Sequence, residues 1–293
     1  MIIQSLSVVV PAKRCINDCK FCVSKMGCNT YKDQLDSNMP FYDLYQKEYL
    51  KRLEFARDNG CNTVMLTGDA EPQQNRTFLE KFGTLNSMLE KPFRWIEMQT
   101  TGTMLDDKYL RFLRNHVGVS TISLSLSSFD NIHNQNITGM KTPIDIVHLC
   151  DEIKRYDFNL RLSLNMTKYF DNENMETNKV LDSLLSTSKS LGADQVTFRK
   201  MYVSGNDTEQ DKWLSEYAIG FERVTQMEQY IKHIGTPLSV LEFGAIKYDI
   251  NGMSVVLDND CMSEDVKEGY KYLILRPDCK LYSRWDTTAS LIF

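Results

Sequence analysis

The run Cys15-Ile-Asn-Asp-Cys19-Lys-Phe-Cys22 puts three thiols at x3 and x2 spacing, directly after the apolar stretch Leu6-Ser-Val-Val-Val10. Thiolates are soft ligands, preferred by iron–sulfur clusters and by zinc. Three sulfurs fill three corners of a four-iron cube and leave one iron open to a substrate. With Cys28, further along the same loop, four thiolates would instead close a structural zinc tetrahedron. The other cysteines offer no comparable set. Cys61 opens an apolar run, Cys150 sits on an apolar helix face, and Cys261 and Cys279 have no neighbouring thiols. A single metal centre is therefore expected. A second segment able to do chemistry is Thr67-Gly68-Asp69-Ala70-Glu71-Pro72, at the end of the next predicted strand. Glycine there permits a bend that exposes backbone carbonyls, and the acids supply acceptors.

The cysteine spacing, with Phe21 before the last thiol, resembles the radical S-adenosylmethionine (radical SAM) superfamily. The segment Gly68–Pro72 is similar to that family's Gly-Gly-Glu-Pro motif, with Ala70 where a second glycine is usual. The resemblance covers about residues 5–201. It implies a [4Fe–4S] cluster on Cys15, Cys19 and Cys22, and SAM chelated at the open iron and cleaved to a 5′-deoxyadenosyl radical. It further implies SAM contacts from the Phe21 backbone (adenine), from Gly68 and Glu71 (ammonium), and near the ribose from Gln99, Thr100 or Thr101; Asp69 would add an acceptor or merely be solvated. Asn165 matches a position where relatives set a polar group against SAM. The stretch Ser127-Ser-Phe-Asp130, Asn136 and Gly139 distantly resembles viperin-like nucleotide dehydratases.

Those residues must be held by the alternation of strand-like and helix-like segments that fills residues 5–201. Strands are expected at 5–10, 63–66, 94–98, 119–126, 160–166 and 195–201. Helices are expected at 40–59, 75–89, 106–115, from Thr142-Pro143 to about 155, at 175–191 and at 208–234. Such alternation specifies a parallel sheet covered by helices. The family resemblance sharpens this α/β class to a partial (β/α)6 TIM-like barrel with the cysteine loop at its mouth. On the fourth strand, period two sets Ser123, Ser125 and Ser127 opposite Ile122, Leu124 and Leu126. Helices cover the outside, so the serines should face inward, either toward ligand oxygens or to relieve crowding. On the fifth strand Arg161, Ser163 and Asn165 share the inner face, and a buried Arg161 would require a carboxylate partner. On the sixth, Arg199 is a candidate for an anionic group of SAM or substrate. After Pro237 the pattern turns to strands around Asn251-Gly252 and Pro277-Asp278. The expected organisation is a core at 1–204 and a C-terminal helix with a small β-rich extension at 205–293.

Composition narrows the functions. Of 293 residues, 42% are hydrophobic and 25% charged, an ordinary globular balance. A net charge of −5 argues against a broad nucleic-acid footprint. No apolar run approaches a membrane span, and nothing at the N-terminus reads as a signal peptide, so a cytoplasmic protein is expected. Lys13, Arg14, Lys20, Lys25 and Lys32 surround the cysteines against only Asp18 and Asp33. That patch would ease electron uptake and attract an acidic donor of the flavodoxin or ferredoxin type. The four histidines lack metal-ligand spacing, and His133 is expected to be a solvent-facing loop residue. Trp285, Tyr282 and Arg284 would border a substrate pocket or merely pack the extension. The leading reading is a radical SAM enzyme acting on a small molecule, nucleotides included. Peptide modification is the second reading and a glycyl-radical activase the third. A zinc-binding interaction module is the reading from another class.

Overall fold

Strands with one leucine face and one polar face are stable only where helices cover the first and an enclosed space takes the second. The computed structural model, which describes residues 2–27, 41–240, 246–258, 269–285 and 287–293, has this arrangement. In chain order it runs β1 (Ile2–Val9), α1 (Phe41–Leu44), α2 (Gln46–Asp58), β2 (Thr63–Thr67), α3 (Arg76–Met88), β3 (Trp95–Thr100) and α4 (Asp107–Phe112). Then come β4 (Thr121–Leu126), α5 (Asn131–Thr138), α6 (Ile146–Arg155), β5 (Asn159–Asn165), α7 (Thr177–Ser190) and β6 (Gln195–Arg199). The C-terminal part adds α8 (Glu209–Tyr217), α9 (Phe221–Ile234), β7 (Thr236–Val240), β8 (Ile246–Ile250), β9 (Met253–Asp258), β10 (Gly269–Leu275) and β11 (Leu281–Tyr282).

All strands belong to one sheet, ordered β11-β10-β1-β2-β3-β4-β5-β6-β9-β8-β7. Neighbours from β1 to β6 are parallel, and the C-terminal segment adds a parallel strand at each end: β10 beside β1 and β9 beside β6. Lys271 on β10 and Asp258 on β9 stand 3.5 Å apart, so the sheet curls until the two ends of its parallel run approach each other. The fold is a mixed α/β, TIM-like partial barrel to which the C-terminal β segment is attached. Its outer face forms the core. Ile122, Leu124, Leu126, Leu160, Leu162 and Leu164 are fully buried beneath helices, each burial stabilising by about 1.5–3 kcal/mol.

Local differences from the sequence expectations have local causes. The helix expected to start at Thr142-Pro143 starts at Ile146 instead, because the Asp145 carboxylate accepts from the His148 N–H at 3.1 Å and caps it. A helix not anticipated, α5, lacks an apolar stripe and is fixed by its ends. Asp130 caps it at 2.7 Å, and Gly139 closes it in the left-handed region at φ 64°. The single helix expected at 208–234 is two, parted where Ala218 bridges to Thr167. The helix expected from Pro40 breaks at Tyr45, and Pro40 itself lies outside the described residues. Asn251 and Gly252, both with positive φ, make the β8–β9 hairpin turn as expected.

Candidate active site

The cysteine loop leaves the C-terminal end of β1 and is tied down on three sides. Beyond β2, Gln74 accepts from the Ile16 N–H at 2.9 Å and donates to the Arg14 carbonyl at 2.8 Å, while Asn75 donates to Pro11 at 2.8 Å. At the end of β3, the Thr101 hydroxyl accepts from the Asn17 amide at 2.8 Å, and Thr103 donates back to it at 3.1 Å. At the C-terminus of α5, the carbonyls of Thr138 and Ile137 accept from the N–H groups of Asp18 and Lys20 at 3.1 and 3.0 Å.

Cys15, Cys19 and Cys22 are free and partly buried on this loop. Burial raises the Cys15 pKa, against the backbone N–H groups of Asn17 and Glu71, which favour its thiolate. Burial raises Cys19 further, with added repulsion from Cys22, Glu71 and Cys15. Thiols that disfavour one another's ionisation share one neighbourhood, and a bound cationic centre would reverse that repulsion. Among the described residues no three His, Cys, Asp or Glu side chains are gathered in metal-site geometry. What fits a cluster is the donor chemistry: three sulfurs on one anchored loop, with N–H groups turned toward the first. Cys28, Lys32 and Asp33 lie outside the described residues, as does Cys261.

Gly139 explains how closely the loop and α5 approach. A Cβ at this residue would sit 2.7 Å from the Asp18 carbonyl oxygen and 2.8 Å from its Cβ, and φ is positive there. Gly139→Ala is expected to cost about 1–3 kcal/mol through overpacking and to displace the Cys15–Cys22 loop. Iron bound per chain after anaerobic reconstitution should fall by roughly half or more, alongside a lower melting temperature. Full iron loading would show that the loop does not depend on this contact.

Glu71 is 6% exposed, and burial raises its pKa against several hydrogen bonds. Its carboxylate accepts from the Thr100 hydroxyl at 2.7 Å, the Thr101 N–H at 3.0 Å and the Asn17 amide at 3.2 Å. Both oxygens are thus engaged inside the fold, and they join the ends of β2 and β3 to the cysteine loop.

The inner face of the sheet borders a partly open cavity of about 570 Å³ lined by both polar and apolar side chains. Of the residues singled out from sequence, Gly68, Asp69, Gln99, Arg199 and Trp285 line it, and Val23, Ser24, Met26 and Gly27 bring the cysteine loop to its edge. Arg161 lines it as well, whereas Cys15, Cys19, Cys22, Phe21, Glu71, Thr101, Ser125 and Asn165 are not among its lining residues. Phe21 packs 6.3 Å from the Trp213 ring. Asn165 donates to Ser125 and Ser127, each at 3.1 Å, so part of the serine face is occupied by a neighbouring strand. Ser123 has a different use. Arg161 and Glu97, from β5 and β3, meet at 2.5 Å across β4, which a larger side chain at Ser123 would obstruct. That is the carboxylate partner Arg161 required. The Gln195 side chain also accepts from Arg161 at 2.6 and 2.8 Å. His133 is solvent-facing, 3.8 Å from the Asp130 carboxylate.

Sequence reasoning missed Lys247, Asp258 and Lys271, which also line the cavity. They reach it only because β9 and β10 join the sheet, a pairing that leaves no local signal. Arg276, 1% exposed, donates to the Trp285 carbonyl at 2.9 Å and stands 3.9 Å from Asp69, linking the C-terminal segment to the end of β2.

With this geometry in place, comparison with known proteins is informative. The family model described as Radical SAM superfamily matches residues 9–184. No curated protein sequence matches the chain. Among solved structures, SuiB of Streptococcus suis bound to the precursor peptide SuiA superposes with a TM-score of 0.58 at 12% identity, covering 96% of this chain and 59% of that one. The anSMEcpe protein with bound AdoMet gives 0.58 at 14% identity, covering 96% and 71%. Coproporphyrinogen III oxidase (HemN) from Escherichia coli, titled a radical SAM enzyme, gives 0.54 at 12% identity, covering 80% and 54%. The chain thus spans well under two thirds of SuiB and HemN, and at these identities the likeness concerns the fold.

Proposed function

Because the chain belongs to the radical SAM superfamily, and is an enzyme of that type, we propose that it cleaves SAM reductively and abstracts hydrogen from a small-molecule substrate held in the barrel cavity. The observation that carries this reading is the anchored three-thiol loop, whose continuation at Val23–Gly27 lines the edge of the barrel cavity. Cys15, Cys19 and Cys22 would hold a [4Fe–4S] cluster, which when bound supplies the electron that splits SAM into methionine and a 5′-deoxyadenosyl radical.

The chain's own residues do the rest. Glu71 fixes Asn17, Thr100 and Thr101, and so sets the height of the cysteine loop over the strand ends. Gly68 and Asp69 line the cavity, and a backbone carbonyl or carboxylate there would suit the SAM ammonium. Phe21 would offer its backbone to the adenine, and Ser125, Asn165 and Thr101 would lie along the rim. Substrate and SAM filling the cavity would have to exclude water from a reactive radical, as this chemistry demands. Exposed Lys13, Arg14 and Lys20 suit docking of an acidic flavodoxin or ferredoxin-type donor, while Lys25 is paired with Asp18. Free thiols suit a reducing cytoplasmic setting, and no helix among the described residues is long and apolar enough to cross a membrane.

A small substrate is favoured because β9 and β10 meet through Lys271–Asp258 along the side where the parallel run would otherwise stay open. Peptide modification is the second reading, favoured by the likeness to SuiB bound to a precursor peptide. Reduced, cluster-loaded enzyme with SAM should be offered deuterated metabolite pools and, separately, deuterated peptide pools. Deuterium in 5′-deoxyadenosine from the metabolites alone supports the first reading; deuterium from peptides alone replaces it by the second. Reconstituted protein is also expected to hold about four iron and four sulfide per chain. A reproducible value near eight would require a second ligand set.

A further inference from the structure

One corner of the cavity has no part in the chemistry described so far. Arg199 on β6 stands in register with Asp258 on β9, and Thr197 with Val256 one row away. The β8–β9 hairpin, with Tyr248 opposite Val255, sets Lys247 beside that same Val256. From the other end of the parallel run, Lys271 reaches Asp258 at 3.5 Å. All four charged residues line the cavity, so at this corner three cations, among the described residues, face one carboxylate. The Arg199 Nε is buried and has no hydrogen-bond partner among the described residues. A guanidinium cannot shed its proton to relieve that deficit, and a buried N–H without an acceptor is costly. A second acceptor at this place satisfies Arg199 and offsets the excess positive charge, whose field is strengthened in a cavity with low-dielectric walls.

We infer that this corner seats an oxyanion, carboxylate or phosphate, carried by a small substrate, with Arg199 and Lys247 as the specificity-determining residues. The inference rests on the cavity being the substrate site of the radical SAM enzyme proposed above. The anion belongs to the substrate because of where the corner lies. The cysteine loop, Gly68–Glu71 and Thr100–Thr101 extend from β1, β2 and β3; Arg199 neighbours Asn165 of the rim, while Lys247 and Asp258 lie beyond it on β8 and β9. The Lys271–Asp258 pair holds the sheet ends together and keeps Asp258 from neutralising Arg199 alone. Guanidinium geometry grips carboxylate and phosphate oxygens in pairs, and Lys247 adds a compact point charge beside it.

The test uses cluster-loaded, anaerobic protein titrated calorimetrically with inorganic phosphate, with acetate, and with tetramethylammonium as a control of opposite sign. Saturable binding of phosphate or acetate, but not tetramethylammonium, is expected. Which of the two anions binds more tightly tells phosphate from carboxylate substrates. Arg199→Gln and Lys247→Gln should each weaken that binding about tenfold or more. Arg199→Lys, which keeps the charge but loses Nε and the paired grip, should bind between wild type and Arg199→Gln, and the surface variant Lys91→Gln should leave binding unchanged. SAM affinity should stay within about twofold in every variant. Absence of saturable anion binding, or wild-type binding by both glutamine variants, would overturn the inference. Arg199→Gln weakening SAM but not the anion would also overturn it, by assigning the guanidinium to SAM. Failure of the underlying reading looks different: reduced wild-type enzyme would release no 5′-deoxyadenosine from SAM while anion binding stood as described.

Discussion

Alanine at Cys15, Cys19 or Cys22 is expected to abolish SAM cleavage, with 5′-deoxyadenosine below detection in anaerobic assays. Two thiolates do not hold a four-iron cube with one defined open corner, and among the described residues this loop carries no fourth thiol. Among the described residues Cys61, Cys150 and Cys279 are buried elsewhere, and burial pushes the first two thiols up to about 12 and the third to about 11. All three belong to the hydrophobic core, outside the Cys15–Cys22 loop, so none is placed to serve as a substitute ligand. Each variant should lose most of its iron while keeping the fold, as judged by far-ultraviolet circular dichroism. Cys28→Ala is expected to retain cleavage and iron. Loss of both in Cys28→Ala would mean that four cysteines, not three, make the site.

Glu71→Gln is expected to lower stability and cluster loading together, and to leave SAM affinity per loaded cluster within about twofold. The carboxylate, beyond the end of β2, accepts from two donors at the end of β3 and one on the cysteine loop. Glutamine keeps one acceptor oxygen but turns an N–H₂ toward groups that donate. Hydrogen bonds to a charged group contribute about 1.5–3 kcal/mol, partly offset here by relief of a buried charge. A net loss of about 1–3 kcal/mol follows, or roughly 2–8 °C in the melt. The opposite pattern, an unchanged melt with SAM binding weakened tenfold or more, would show the carboxylate reaching the SAM ammonium, as the motif suggests on first reading. Thermal melts, iron determination and SAM titration on the same preparations separate the two outcomes.

The Glu71 case shows where sequence reading reaches and where it stops. The segment 67–72 and the cysteine run are legible because their residues are adjacent in the chain. The partners of Glu71 come from Asn17, Thr100 and Thr101 and depend on how the ends of β1, β2 and β3 meet in space. The β/α alternation is legible for a similar reason, since the fully buried face of Leu160, Leu162 and Leu164 is a local period-two signal. What that alternation leaves open is who shares the inner face. Ser123 reads as a ligand-facing hydroxyl, yet its small size lets Glu97 and Arg161 meet above β4, a fact of register across three strands. The Asn251-Gly252 hairpin is announced by its turn residues, but nothing local says that β9 pairs with β6 or that β10 pairs with β1. The hydrogen bond from Ser5 to the Lys271 carbonyl, at 3.1 Å, joins residues 266 apart in the chain. The cavity wall carrying Lys247, Asp258 and Lys271 follows from those pairings.

The most direct test of the whole reading is a single anaerobic experiment on reconstituted protein. As reconstituted, before any reductant is added, the wild-type chain should be brown and absorb near 400 nm; reduced with dithionite and mixed with SAM, it should release 5′-deoxyadenosine and methionine in equal amounts. The release should vanish in Cys19→Ala. A colourless protein carrying one zinc, with SAM recovered intact, would contradict the account and make the cysteine loop a structural zinc site.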